Sequence, residues 1–519
     1  MNSNILGLTG LIKAVLYTTF LCLGAPASAT LFDDIGFSDL QTQQGSTTPD
    51  GSGVPVAIAE AFTGTGCEVN TAPGNCLYRP DKAIKNYRDS ASDPTPPAGY
   101  DHTSDHTPSY GYSTNYSAHA TGTARLFYGN YHSTSPGISE VHVFAADHWL
   151  TGGYLNTRST GPGSTPLTSS IRVSNHSYQG AINLNDANQK AQAREILSRI
   201  DWIVDKDEQI VATASTGAPL DGTAFNIIAV GRTDGGSSGN AVNLSSSPYD
   251  SNQRIRPDVV VPESSHSAAT PRVASAAALL INYAHDQATG AGESINGKTI
   301  YNAERSEVIK AVIMAGARRE TQNTDGRPDI TDYRNGSHAA DNGLDDRFGA
   351  GQLNIFNSYQ ILAAGEQEAG NVNTTGFDYD SAFGGAGGSN DTASYLFHLA
   401  SDAKFIASLV WNLAFETSSG NESDNFSDYS PVLYDLDLML YNSANVLIAS
   451  SMSRIDNTEN LWLDLTAGDY RLEVSRAPGE AAFNHDYALA WQTSAVPLPS
   501  SVWFLLTALT GLGIFGRRK

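Results

Sequence analysis

The sequence predicts an α/β domain, a parallel sheet with helices on both faces, followed by an all-β sandwich domain. Three observations predict it. Short runs suited to strands, at 53–60, 136–144, 209–217 and 259–261, alternate with stretches of helical apolar spacing, the pattern of a doubly covered parallel sheet. A Gly-, Asp- and Ser-rich stretch at 376–388 then changes the composition. From 393 to 491 only short strands and turns occur, with no helix-length pattern between them, which fits a sandwich.

The chain has 519 residues, 40% of them hydrophobic, with 48 glycines. At roughly 150 residues per domain that length suits about three globular, loop-rich units. Its 54 acidic and 31 basic side chains leave a formal net charge of −23. Such a balance makes nucleic acid and anionic membrane surfaces poor partners.

At the N-terminus, Lys13 precedes an apolar run at 14–23 and then Ala25-Pro26-Ala27-Ser28-Ala29. A short apolar run before an A-x-A site reads as a secretory signal peptide over 1–29, cleaved after Ala29. Cys22 leaves with it. Cys67 and Cys76 remain in a Gly/Pro-rich loop of an exported chain, where one disulfide closing a small loop is expected. Residues 30–50 are polar and turn-rich, and read as an extension on the surface.

The run at 53–60 is a buried strand ending in a carboxylate, Glu60. Open α/β sheets build their sites outside such carboxyl ends. Residues 64–112 read as an insertion, with a short helix near 81–89; His102 and His106 in it, beside Asp101 and Asp105, fit no metal spacing and read as loop histidines. A strand comes next at 136–144. Helical spacing returns at 186–204, with Ala191, Ile196, Ile200 and Ile203 on one side, and at 304–317. The most informative stretch is 256–281. Val259, Val260 and Val261 suit a buried strand, 263–269 a small-residue loop, and Val273 to Ile281 a buried helix with Pro271 in its first turn. Ser267 lies just before that helix, where unpaired N–H groups favour developing negative charge.

These motifs resemble those of subtilases, the subtilisin-like serine peptidases. Arg256-Pro257-Asp258 and Pro262 match the lead-in to the nucleophile; Ser267, Ala268, Ala269, Pro271, Val273 and Ala274 match the nucleophile and its helix. Ser265-His266 stands where that family has Gly-Thr. Gly51, Gly53 and the strand to Glu60 resemble the acid motif, with Glu in place of Asp. His119, Thr121 and Ala124 match the histidine motif. The order acid, histidine, serine is the subtilisin order. The resemblance spans about 51–362 and implies a subtilisin-like catalytic domain at 51–368. It implies a secreted serine endopeptidase acting on protein or peptide substrates through Glu60, His119 and Ser267 and an acyl-enzyme. It implies an oxyanion donor at Thr216, where the family has an asparagine, and a groove strand at 171–178 that brings Ser174, Ser177 and Tyr178 to the substrate. The alternative is a catalytically weak or inactive chain of that fold, serving as an envelope or matrix binding protein.

Residues 435–441 and 465–474 resemble pre-peptidase C-terminal domains, which gives the sandwich bounds of 369–495. The sequence points to no certain cofactor; Asp435, Asp437 and Asp456 are candidates for a structural calcium, and read equally as sheet-rim aspartates. Val496-Pro497-Leu498-Pro499, an apolar run at 502–515 and Arg517-Arg518-Lys519 resemble a PEP-CTERM sorting tail over 496–519. That implies transient inner-membrane tethering, processing by an exosortase-type enzyme, and a Gram-negative envelope or extracellular location.

Overall fold

A computed structural model describes residues 30–63, 77–81, 104–106, 115–157, 163–180, 182–216, 220, 222–236, 239–251, 253–288, 292–385 and 390–495. The signal segment 1–29, Cys67 and Cys76 with their expected disulfide, and the sorting tail 496–519 lie outside the described residues. Among the described residues no helix is long and apolar enough to cross a membrane.

Seven strands form the first sheet: β1 (Val56–Glu60), β2 (Ser104–His106), β3 (Val141–Ala145), β4 (Val173–His176), β5 (Ile210–Ala214), β6 (Ile228–Arg232) and β7 (Val259–Val261). They run β2-β3-β1-β4-β5-β6-β7 across the sheet, all parallel. From β1 the chain crosses to the edge at β2, steps back to β3 beside β1, and then continues from β4 on the other side. The crevice at the carboxyl ends of β1 and β4 is therefore the switch point, where doubly wound sheets place their sites. Ser104–His106, expected in a loop, adds an edge strand instead.

The α-helices of four or more residues are α1 (Leu31–Asp34), α2 (Phe37–Gln44), α3 (Ala118–Tyr128), α4 (Ala187–Asp207), α5 (His266–Gln287), α6 (Ser306–Gly316) and α7 (Ile355–Ala363). Strand alternation sorts the core. Val56, Ile58, Val173, Ile210, Ile228 and Val259 meet α3, α5, α6 and α7 on one face. Ala57, Ala59, Val211 and Ala229 meet Leu197, Ile200 and Ile203 of α4 on the other. Helix α5 is buried on every side from Ala269 to Asn282, as a helix apolar around most of its circumference is.

The structure corrects two expectations. Helix α5 starts at His266, not at Pro271, with Ser265 as its cap; Ser267 is its second residue and Pro271 lies in the second turn. Pro271 has no N–H for the carbonyl four residues back, which is that of Ser267. Residues 30–50 are not a surface wrapping. Leu31, Ile35, Phe37 and Leu40 enter the main core, and the buried Asp34 carboxylate accepts from Thr324 N at 2.9 Å and Arg327 Nη1 at 3.1 Å.

The C-terminal region is all β. Its strands are β8 (Gly370–Asn371), β9 (Gly376–Phe383), β10 (Thr392–Leu399), β11 (Ala403–Val410), β12 (Ala414–Thr417), β13 (Tyr429–Val432), β14 (Leu436–Asn442), β15 (Leu447–Ser451), β16 (Thr458–Leu465), β17 (Gly468–Arg476) and β18 (His485–Ala495). One sheet runs β8-β10-β17-β14-β15, the other β9-β18-β11-β16, with the hairpin β12-β13 apart. Inward residues of both sheets, among them Tyr395, Phe405, Leu438 and Trp491, form one core. The stretch from 376 reads as a composition break, yet Phe377, Tyr379 and Phe383 are buried along β9.

This region is built into the α/β domain. Ile406, Val410, Ala488 and Ala490 share the core that holds Val308 and Val312 of α6, and Gln492 Nε2 donates to the Ala315 carbonyl at 2.7 Å. Leu413 and Phe415 pack into the α4 layer, and Asn226 Oδ1 accepts from Leu413 N at 2.7 Å.

Candidate active site

Glu60 is the last residue of β1, whose five residues are all buried. Alternation puts its side chain on the same face as Val56 and Ile58, toward α3. At 1% exposure the carboxylate has no water to rely on, and both oxygens find protein partners. His119 Nδ1 lies 2.8 Å from Oε2, and Thr123 Oγ1 donates to Oε1 at 2.7 Å. His119 and Thr123 are four residues apart on α3, so one helical face grips one carboxylate. Thr123 went unnoticed in the sequence; a hydroxyl at i+4 from the histidine is the signal that marks it.

The longer Glu side chain thus reaches the imidazole as an aspartate would from a closer backbone. Burial pushes the Glu60 carboxyl up, opposed by its bonds to His119 and Thr123. The bond to Glu60 raises His119 above the ordinary imidazole value, against the effect of its partial burial. With the carboxylate as its partner, Nδ1 carries the proton and Nε2 is left as the basic nitrogen. His119 keeps 41% of its side chain exposed, in contrast to the buried Glu60.

Ser267 is the second residue of α5, as His119 is of α3, and the two helices pack against each other. The backbone N–H of a second helical residue has no partner within its helix. The half-buried Ser267 hydroxyl donates to the Ser177 carbonyl at 3.2 Å. Among the described residues no hydrogen bond joins Ser267 to His119. A serine hydroxyl reorients by rotation about χ1, and such bonds are commonly long or misaligned until substrate binds.

Ser177 comes directly after β4, and its own hydroxyl pairs with Asn175 Nδ2 at 3.1 Å. Of the three groove candidates it is the one joined to Ser267. Ser174 is fully buried and its hydroxyl meets His176 Nε2 at 3.0 Å; the Tyr178 hydroxyl meets His176 Nδ1 at 3.1 Å. Thr216, half-buried, lies two residues past β5, on the next strand's exit from the sheet.

The three calcium candidates do not converge. Asp435 Oδ2 faces Arg454 Nη1 at 3.5 Å, and Asp456 accepts from Ser453 Oγ at 2.7 Å. Burial, then Asp437, pushes Asp435 up to about 6. Among the described residues no three His, Cys, Asp or Glu side chains gather as a metal site.

No protein-family model matches the chain, and no curated protein does. Among solved structures, the pre-peptidase C-terminal domain of collagenase from Bacillus anthracis aligns at 15% identity, covering 25% of this chain and 97% of its own, with a TM-score of 0.17. The periplasmic lysozyme inhibitor PliG of Salmonella Typhimurium aligns at 18% identity over 25% and 100%, TM-score 0.14. A beta-glucosidase from Paenibacillus barengoltzii aligns at 12% over 73% and 34%, TM-score 0.16. At such TM-scores these likenesses bear on neither fold nor function.

Proposed function

We propose that the chain is an exported serine endopeptidase of the subtilisin-like type. The observation that carries the reading is the 2.8 Å contact between the buried Glu60 and His119 Nδ1, at the sheet's switch point and beside a helix start that bears a serine. In this reading His119 Nε2 takes the Ser267 proton as Oγ attacks a peptide carbonyl. The Oγ–C bond forms, and the same proton passes to the leaving amine as the C–N bond breaks. Water then releases the acyl group by the reverse proton path. Glu60 holds the imidazole and stabilises its charged form. The Ser267 N–H and the Thr216 hydroxyl receive the oxyanion. An extended substrate lies along the exit of β4.

The motifs at 435–441 and 465–474 support reading the C-terminal region as a pre-peptidase C-terminal-like domain, and 496–519 support a sorting tail cut by an exosortase-type enzyme in the Gram-negative envelope. The test of the peptidase reading is turnover of casein by the exported protein. Turnover lost in Ser267→Ala supports it; turnover unchanged by that substitution defeats it. The test of the sorting reading is mass spectrometry of the secreted chain, which should end near Val496; an intact Lys519 in the released protein contradicts it.

A second reading rests on one observation: the Ser267 hydroxyl is engaged by the Ser177 carbonyl and not by His119. A protein that stayed so would be a weak or inactive relative that binds in the envelope. Wild-type protein that folds but cleaves no peptide bond would favour it.

A further inference from the structure

Arg199 of α4 is only 1% exposed, and its guanidinium serves three parts of the chain. Nε donates to Glu195 Oε1 at 3.2 Å on its own helix. Nη1 donates to the Leu155 and Ser164 carbonyls, each at 2.8 Å, in the segment between β3 and β4. Cζ lies 4.2 Å from the ring centroid of Phe426, in the loop of the β12-β13 hairpin. That hairpin belongs to neither sheet of the sandwich. Its loop instead pairs with the same segment of the α/β domain. Phe426 N donates to the Gly163 carbonyl at 3.2 Å, and Thr165 N to the Asp424 carbonyl at 3.0 Å, which sets Ser164 opposite Asn425 in an antiparallel bridge.

The segment so held leads to the candidate site. Leu155 N donates to the Trp149 carbonyl at 2.9 Å, and Asn156 Nδ2 to the Thr165 carbonyl at 2.7 Å, so the two stretches that Arg199 grips are also tied to each other. Trp149 is fully buried. Its ring stacks on Tyr154 with centroids 5.6 Å apart and meets His176 edge-on at 4.3 Å. His176 is the last residue of β4, and the next residue, Ser177, offers the carbonyl that takes the Ser267 hydroxyl. A continuous run of packed contacts thus joins the C-terminal hairpin to the exit of β4.

We propose, resting on the peptidase reading above, that Arg199 is a positioning residue for the β4 exit and that the β12-β13 hairpin is the clasp that seats it. The C-terminal region is then a working part of the peptidase and not a separable module. The chemistry explains why arginine stands here. A buried cation is tolerated only where its donors are paired. A lysine has one nitrogen and cannot bond Glu195 and both carbonyls while lying against the ring. Phe426 covers the guanidinium on the side where water would compete, and such a contact is strongest with water excluded. Glu60, His119 and Ser267 stand on other elements, β1, α3 and α5. The clasp therefore acts on where an extended substrate lies, not on proton transfer.

The test uses the full exported chain. Phe426→Leu keeps the apolar bulk and removes the ring; Arg199→Lys keeps the charge and removes the fork. On a peptide long enough to lie along β4, kcat/KM should fall by about tenfold in each, and the double variant should be no worse, because both break one contact. Phe426→Tyr keeps the ring and should cleave like the wild type. Modification of Ser267 by a small active-serine phosphonate, which does not need the β4 exit, should keep its wild-type rate throughout. Phe426→Leu, the gentler change, carries the test if Arg199→Lys does not fold. Unchanged peptide cleavage in Phe426→Leu overturns the proposal. So does a phosphonate rate that falls in step with cleavage, which would mark general loosening of the fold. In both cases Ser267-dependent cleavage by the wild type would survive, and with it the peptidase reading. Absence of any Ser267-dependent cleavage overturns both.

Discussion

Helices α3 and α5 begin alike and hold their second residues differently. Each is capped by a serine, Ser117 or Ser265, whose hydroxyl accepts from the third helical N–H at 3.2 Å. Each presents a candidate catalytic residue at its second position. At α3 the side chain is fixed from beneath: a buried carboxylate at the end of β1 takes His119 Nδ1, with Thr123 completing the grip. At α5 no side chain fixes Ser267. Its hydroxyl rests on a backbone carbonyl of the β4 exit, and Pro271 leaves its own carbonyl without the usual helical donor. In the proposed mechanism the base is oriented by a carboxylate that a substitution can delete; the nucleophile rests on a backbone carbonyl that no substitution deletes.

Several substitutions separate these two ends. Removing either reacting group should be most severe. Ser267→Ala and His119→Ala should each lower kcat on a peptide substrate by on the order of 10⁶, and the double variant should be no worse, because the pair acts as a unit. Steady-state kinetics with tight limits on background hydrolysis check this. Additive losses would mean the two helix starts work independently.

Glu60→Gln attacks only the α3 end. It keeps the volume but permits the wrong imidazole tautomer, and the expected loss in kcat is about 10⁴. Thr216→Val removes one proposed oxyanion donor and should cost roughly 10². A loss in Thr216→Val greater than that in Glu60→Gln would reverse the ranking of the two ends.

The pH profile of kcat/KM reports the free enzyme's base. In the proposed mechanism neutral His119 is the active form, and its pKa is raised by the bond to Glu60. The proton is therefore retained to higher pH, and activity should fall away, as the pH is lowered, through a midpoint above the ordinary imidazole value of 6.5. In Glu60→Gln that acid limb should move to lower pH. An unmoved limb would assign it to another group.

The smallest effect concerns the caps. Ser117→Ala and Ser265→Ala should each destabilise the fold by about 1 kcal/mol in denaturant unfolding. Their effects on turnover should differ: Ser265→Ala should lower kcat more, because His119 keeps Glu60 whereas Ser267 loses the cap that orders its turn.

Much of the α/β domain was legible because buried parallel strands are short apolar runs with little ambiguity, as at 56–60 and 259–261. Asp186 was legible as a helix start and caps α4 through Asn188 N at 2.8 Å. The start of α5 was not. Proline favours the first helical position, so Pro271 drew the expected boundary to itself, while Ser265 supplied the cap and burial on all sides carried the helix past the proline. The strand β9 was hidden by its glycine and aspartates, though Phe377 and Tyr379 already alternate. The helices in 31–44 were masked by polar residues between the few apolar positions that matter. Within the site, the residue types and their order were legible; Thr123 and the Ser177 carbonyl were not, because both act through a fold that brings distant segments together.

The most direct measurement is labelling of the folded protein with an active-serine phosphonate, followed by peptide mapping. The account predicts stoichiometric modification at Ser267, lost in His119→Ala and slowed in Glu60→Gln. Folded wild-type protein that leaves Ser267 unmodified, or modification that proceeds equally in His119→Ala, would contradict it.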